Sequence, residues 1–199
     1  MRQDGYLPSM LRLLHDGSIL PGGANPTPEE VKLRLEIRSK TSQALTNIVS
    51  SNTDGDQKRI ESHVLRHLEM IRRVSEDLFE SLVEKNHTGA SSESAESPTR
   101  HPVAETLKNA ESIIHSLREI MELVNYKVQR LAINELGGLF CVAEILILHC
   151  SSKHDEEAQE ETGSRLRQYS GRILTNLTYA DNLNKVLLMN MRGLLETVR

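Results

Sequence analysis

The sequence predicts an all-α protein assembled as an α-solenoid. Three observations carry that reading. Apolar residues recur three or four apart in every long segment, and nothing alternates with period two for more than a few residues. The core must be built from Leu, Ile, Val, Ala and Met, because aromatic residues make up only 3% and Trp is absent, a composition that suits packed helices. Finally, a helix that starts at Gly and leads to a longer helix recurs along the chain, as expected of stacked repeats. At 199 residues the chain is long enough for one or two domains with a substantial core.

The elements follow in order. "YLPSMLRLLH" reads as a first helix, with Pro8 in its first turn, where a missing N–H does no harm. "HDGSILPGGANPTP" is a loop by its Gly and Pro content. The second helix starts at Thr27, a good N-cap, with Pro28 as first helical residue and Glu30 completing a capping box. "NTDGDQKR" breaks it, and a third helix covers residues 60–85, with Ile60, Val64, Leu68 and Ile71 on one face. Residues 86–102, "NHTGASSESAESPTRHP", are Ser-, Glu- and Pro-rich and read as an unstructured linker. Within it Ser91, Ser94 and Ser97 form a candidate phosphorylation cluster, although a plain solvated loop is the favoured reading. Helical sequence resumes at 103 and runs through "GGLFCVAEILILHC", followed by an acidic loop at 151–164. The last helical block closes on "MNMRGLLETVR", inside a helix rather than at a cap. The expected organisation is thus a helical lead-in or first repeat at 1–85, the linker, and further repeats at 103–199 with the acidic loop inserted.

Several function classes are excluded. A net charge of −4 offers no basic balance for nucleic acid. The longest apolar run, "GGLFCVAEILIL", is too short to span a bilayer and contains Glu144, and no signal peptide opens the chain. Cys141 and Cys150 lie on one predicted helix, too far apart to bridge, and read as free thiols in a reducing compartment. The sequons "NHT" and "NLT" are taken as chance in a chain without a secretion signal. "RHLEMIRR" with Arg59 is a basic stripe better read as a solvated face. His63 and His67 have the i,i+4 spacing that can bind zinc, but no Glu follows His63 as in HExxH, and the sequence places no third ligand near them. No metal and no cofactor are therefore expected. Without a phosphate loop, a nucleophile motif or a carboxylate pair, no enzyme is expected either.

The internal repeat has two parts. Segments starting at Gly5, Gly137 and Gly193 share one shape; Leu7 matches Leu139, Met10 matches Val142, Leu13 matches Ile145 and Leu14 matches Leu146. In this register Arg12 and Glu144 both fall on the outside. A Gly at the start lets the chain turn sharply after a short helix. The second part pairs "SQALTNIV" with "GRILTNLT", matching Leu45, Thr46 and Asn47 to Leu174, Thr175 and Asn176. A middle copy, "REIMELVNYKVQRLAINELGG", leads into Gly137 without the matching Asn. Each unit cannot bury its apolar face alone, and stacking gives a continuous core with a concave surface.

A Gly-start helix followed by a long helix with an internal Asn is similar to an armadillo repeat. More narrowly, "MRQDGYLPSMLRLLH", "SQALTNIV", "DQKRIESHVLRHLEMIR", "AINELGG" and "LTNLTYADNLNK" resemble, in order, the helical lead-in and first armadillo repeats of the adenomatous polyposis coli family. The resemblance covers most of the chain outside 86–102 and 151–163. It implies an armadillo-type right-handed superhelix of short helices, truncated at the C-terminus. Departures in loop length and sequence imply a divergent invertebrate member. The family's coiled coil, β-catenin-binding repeats and basic microtubule-binding tail lie outside this sequence, so a fragment is expected.

What the family does then becomes an expectation for this chain. It implies a non-enzymatic scaffold that grips extended peptides in its concave groove. By resemblance Asn176 matches a groove asparagine, Lys185 a groove lysine and Tyr179 an aromatic position; Asn47, in the lead-in, and Arg172 join the candidate set. An amide suits the task because it both donates and accepts; the competing reading of Asn176 is a buried amide that ties two helices. Between Arg165 and Arg199 five Arg and Lys185 face only Asp181 and Glu196, so acidic or phosphorylated peptides are the expected ligands, with a solvated face of i,i+4 pairs as the rival reading. The family's role implies negative regulation of Wnt signalling with the β-catenin destruction complex, and adaptor work in cell migration. The implied partners are guanine-nucleotide exchange factors and kinesin-linked adaptors, with β-catenin reached through parts absent here. The implied location is the cytoplasm, at cell junctions and the cytoskeleton, with no membrane insertion. An importin-type transport adaptor is the alternative, discounted because no Trp can stack cargo lysines; a generic helical interaction domain is the blander one.

Overall fold

The computed structural model describes residues 27–88, 102–151, 157–179, 181–191 and 194. The first predicted helix, the Ser91–Ser94–Ser97 cluster and the Gly193 start lie outside them. Among the described residues there are seven α-helices and no strand: α1 (Pro28–Ser50), α2 (Gly55–Thr88), α3 (Pro102–Leu123), α4 (Lys127–Glu135), α5 (Gly138–Ser151), α6 (Glu157–Thr178) and α7 (Asn182–Met189). The all-α expectation is met.

Helix α1 begins as its sequence dictates. The Thr27 hydroxyl accepts from the Glu30 N–H at 3.2 Å, and the Glu30 carboxylate accepts from the Thr27 N–H at 2.8 Å, the reciprocal capping box. That backbone hydrogen bond holds the Glu30 carboxyl below its ordinary pKa. Val31, Arg38, Thr41, Leu45 and Val49 are buried, a stripe of helical period that faces α2. The break after α1 is shorter than expected, only residues 51–54. The Asp54 carboxylate accepts from the N–H groups of Asp56 and Gln57, each at 3.1 Å, which caps α2 and lets it start at Gly55. Of the four residues expected on one face of α2, Val64, Leu68 and Ile71 are buried and Ile60 packs at the edge of the core.

Helix α2, with 34 residues, is the hub: α1, α3, α4 and α5 all pack on it, while α6 packs on α3, α5 and α7. The core they enclose is aliphatic. Leu45, Leu68, Ile71, Ile113, Leu117, Ile120, Ile133, Ile145, Ile147, Leu148 and Ile173 are its largest fully buried side chains, each worth roughly 1.5–3 kcal/mol on burial. The Cys141 thiol is free and buried, and burial pushes its pKa up to about 12, which makes it unreactive. Among the described residues no single helix is long and apolar enough to cross a membrane.

The "NELGG" turn joins α4 to α5 through a 71° bend. Gly137 has φ 81°, a left-handed conformation that favours Gly. At Gly138 a Cβ would run into the Ile133 side chain and come within 2.9 Å of its carbonyl oxygen, so α5 leaves α4 at the closest approach the backbone allows. Arg72 of α2 fastens this corner by donating to the Leu136 carbonyl at 2.6 Å.

Two sequence readings are corrected. Glu144 does not fall on the outside: α5 is surrounded by α2, α4, α6 and α7, and Glu144 is buried. It accepts two hydrogen bonds from the Arg38 guanidinium, at 2.8 and 3.0 Å, while Arg38 Nε donates to Glu76 at 2.9 Å. Burial alone would lower the Arg38 pKa, but the charges and hydrogen bonds of Glu144 and Glu76 raise it above its ordinary value. Nor is 151–164 a loop throughout, since α6 starts at Glu157. Glu157, Glu160 and Glu161 lie in its first turns, where negative charge complements the helix dipole. The helical ends of α2 and α3, at Thr88 and Pro102, likewise reach into the stretch read as linker.

Candidate functional site

Helices α3 and α6 lie side by side, and an open groove runs between them. Met121 and Asn125 form one wall; Arg167, Arg172, Thr175 and Asn176 form the other. Gly171 sits between these two groups, and a Cβ added there would meet nothing within 4 Å. The groove is therefore open at the point where α6 lacks a side chain.

The local sequence of α6 explains why these residues face outward. Gly163, Leu166, Ser170, Ile173, Leu174 and Leu177 are buried, one stripe at intervals of three or four residues. Arg167, Arg172, Thr175 and Asn176 fall between those positions. The Thr175 hydroxyl donates to the Gly171 carbonyl at 2.7 Å, a back-bond within the helix. Arg167 and Arg172 are exposed, and Asn176 is half-buried. Asn125, which also lines the groove, donates to the Met121 carbonyl at 3.3 Å. Arg165 and Glu111 bridge the two helices at 3.5 Å.

The structure brings together two of the five residues expected at the site. Arg172 and Asn176 are one helical turn apart on the groove wall. Tyr179, 77% exposed, stands at the end of α6, and Lys185 is exposed on α7. Neither lines the groove. Asn47 is exposed on α1, which packs on α2, and does not line it either. Met121 and Asn125 were not anticipated, and Arg167 figures only within the basic stretch 165–199; what could have flagged Met121 is the apolar face of α3, which fixes which edge of that helix meets α6.

The amide that does tie two helices is a different one. Asp181 caps α7 by accepting from the Asn184 N–H at 2.9 Å, and the buried Asn184 side chain donates to the Leu177 carbonyl of α6 at 2.8 Å. The structural role weighed for Asn176 thus belongs to Asn184.

Elsewhere, His63 and His67 of α2 meet Glu119 of α3, the third potential metal ligand that sequence spacing did not reveal. His67 is buried, and burial, with the neighbouring His63 and Arg66, lowers its pKa.

No protein-family model matches the chain. Against curated proteins it is 34% identical over 196 residues to the adenomatous polyposis coli proteins of Rattus norvegicus and Homo sapiens, a match that covers 97% of this chain and 6% of each relative. The adenomatous polyposis coli protein 2 of Homo sapiens is 32% identical over 200 residues, 100% of this chain and 8% of the relative. The chain thus spans a small part of the length of the curated relatives it matches.

Proposed function

Because the chain belongs to the adenomatous polyposis coli family, we propose that it is a non-enzymatic armadillo-type module that holds an extended acidic or phosphorylated peptide along the α3–α6 groove. The observation that carries this reading is the pairing of Arg167 and Arg172 with the amides of Asn125 and Asn176 around the open floor at Gly171. Amides satisfy both the donors and the acceptors of an extended backbone, and guanidinium forks suit carboxylate or phosphate. Tyr179, exposed at the end of α6, and Lys185, exposed on α7, do not line the groove; by family resemblance they are proposed as further peptide contacts. In this reading α4, α5 and α6 form one repeat, with the Gly137 turn between its first two helices, and neighbouring repeats stack into a solenoid. By family resemblance the module works in negative regulation of Wnt signalling, in a cytoplasmic scaffold with links to the cytoskeleton.

Fluorescence anisotropy tests it with acidic, phosphorylated and Lys-rich extended peptides. Acidic or phosphorylated peptides are expected to bind tightest, with affinity that falls as salt rises. Asn176→Ala should cost roughly fivefold, about 1 kcal/mol, and Arg172→Glu more, because it adds repulsion to the lost contact. If neither substitution weakens any peptide, the groove assignment is wrong; if Lys-rich peptides bind tightest, the transport-adaptor reading replaces it.

A further inference from the structure

We propose that His63, His67 and Glu119 form a zinc site that clips α2 to α3. One ligand atom from each of these side chains lies within 4.8 Å of the others. Two imidazoles and a carboxylate are a proven ligand set for zinc, leaving a fourth position for water or an outside ligand. The two histidines come from consecutive turns of α2, and their rings stand edge to face with centroids 4.9 Å apart.

The second observation is on His67 itself. Its residue is only 5% exposed. Nδ1 lies 3.4 Å from the Ser116 hydroxyl, whereas Nε2 is buried and makes no hydrogen bond. A buried polar nitrogen left unpartnered calls for an explanation. Ser116 supplies half of one: with Nδ1–H donated to the hydroxyl, Nε2 carries the lone pair, the tautomer a metal requires, and the outer hydrogen bond fixes the ring as metal-binding histidines usually are fixed. Zinc bound to Nε2 supplies the other half.

The geometry needs a small adjustment. Tetrahedral zinc with bonds near 2.0–2.2 Å wants its ligand atoms about 3.4 Å apart. His63 and Glu119 are half-buried and have the rotamer freedom to close in, while His67 is held. Arg66, exposed beside the histidines, works against a cation, and the Glu119 carboxylate offsets it. His115, its ring 6.1 Å from that of His67, stands outside the ligand set.

The test uses the full chain, freed of metal and titrated with Zn2+ against a chromophoric chelator, and with Co2+ followed by its visible d–d absorption. One Zn2+ per chain is expected, with Co2+ bands of a four- or five-coordinate site and a rise in Tm on adding Zn2+. His63→Ala and Glu119→Gln should each weaken Zn2+ at least about tenfold, the lower end of what even outer-shell changes cost, while far-UV circular dichroism shows both variants folded. His115→Ala should leave the affinity unchanged. The proposal is overturned if the chelator strips the chain completely at stoichiometric Zn2+, if His63→Ala and Glu119→Gln bind as tightly as the parent, or if His115→Ala costs as much as His63→Ala, which would mark diffuse binding to histidines.

Discussion

Arg38 and Arg72 in the interior, and Arg167 and Arg172 at the α3–α6 groove, are the same residue put to opposite uses. Arg38 and Arg72 are buried. Arg38 is forked onto Glu144 and reaches Glu76, and Arg72 holds the Leu136 carbonyl. Arg167 and Arg172 are exposed along the α3–α6 groove. A buried guanidinium held by carboxylates or a backbone carbonyl is committed to the fold, and one at the rim of an open groove remains available to a partner. Helical period already puts Arg167 and Arg172 on the outer face of α6; what commits Arg38 and Arg72 is the distant partners that packing brings to them.

The largest expected effect tests the committed class. Arg38→Ala strands the buried Glu144 charge and should destabilise the chain by about 3–5 kcal/mol, read as a lower midpoint in urea unfolding. Arg172→Ala should stay within roughly 0.5 kcal/mol of the parent. Replacing the pair together, Arg38→Met with Glu144→Leu, should recover most of the loss, because the penalty comes from the uncompensated charge and not from the missing attraction. Equal losses from Arg38→Ala and Arg172→Ala would dissolve the distinction.

What could be read in the sequence was what depends on neighbours along the chain. The Thr27–Glu30 capping box, the inward face of α2 and the sharp turn at Gly137 each follow from residues within a turn or two of one another, and each is present. What escaped depends on distant partners. Glu144 meets Arg38 across 106 positions, so a repeat register that matched it with Arg12 had no means of showing its burial. Glu119 joins His63 and His67 only because α3 packs on α2. The start of α6 was hidden by composition: an acidic, Ser-flanked stretch resembles a loop until its charges are set against a helix N-terminus. Of the candidate site only Arg172 and Asn176, which share one face of one helix, were named from the sequence; the opposite wall, Met121 at the end of α3 and Asn125 just past it, needs the tertiary fold.

The "LTNLTYADNLNK" segment repeats the contrast on a smaller scale with two amides. Asn184→Ala leaves the Leu177 carbonyl without its donor at a buried junction and should cost about 1–2 kcal/mol. Asn176→Ala removes a half-exposed side chain at the groove and should shift stability by less than roughly 0.5 kcal/mol while it weakens peptide binding. Thermal unfolding of the two variants side by side decides the matter; a greater loss from Asn176→Ala would exchange their roles.

The smallest expected effect runs in the opposite direction. Gly171 lies inside α6, and a Cβ there meets nothing within 4 Å, so no packing requirement accounts for a residue that weakens a helix. Gly171→Ala should stabilise the chain by about 0.5–1 kcal/mol, visible as a Tm raised by roughly 1–4 °C. The added methyl nonetheless stands on the groove floor between Arg172 and Arg167. If an extended peptide runs over that floor, its affinity falls while Tm rises, a combination that damage to the fold cannot produce. Tm and affinity rising together would mean that the ligand passes elsewhere, and that the exposed arginines serve only to keep the surface soluble.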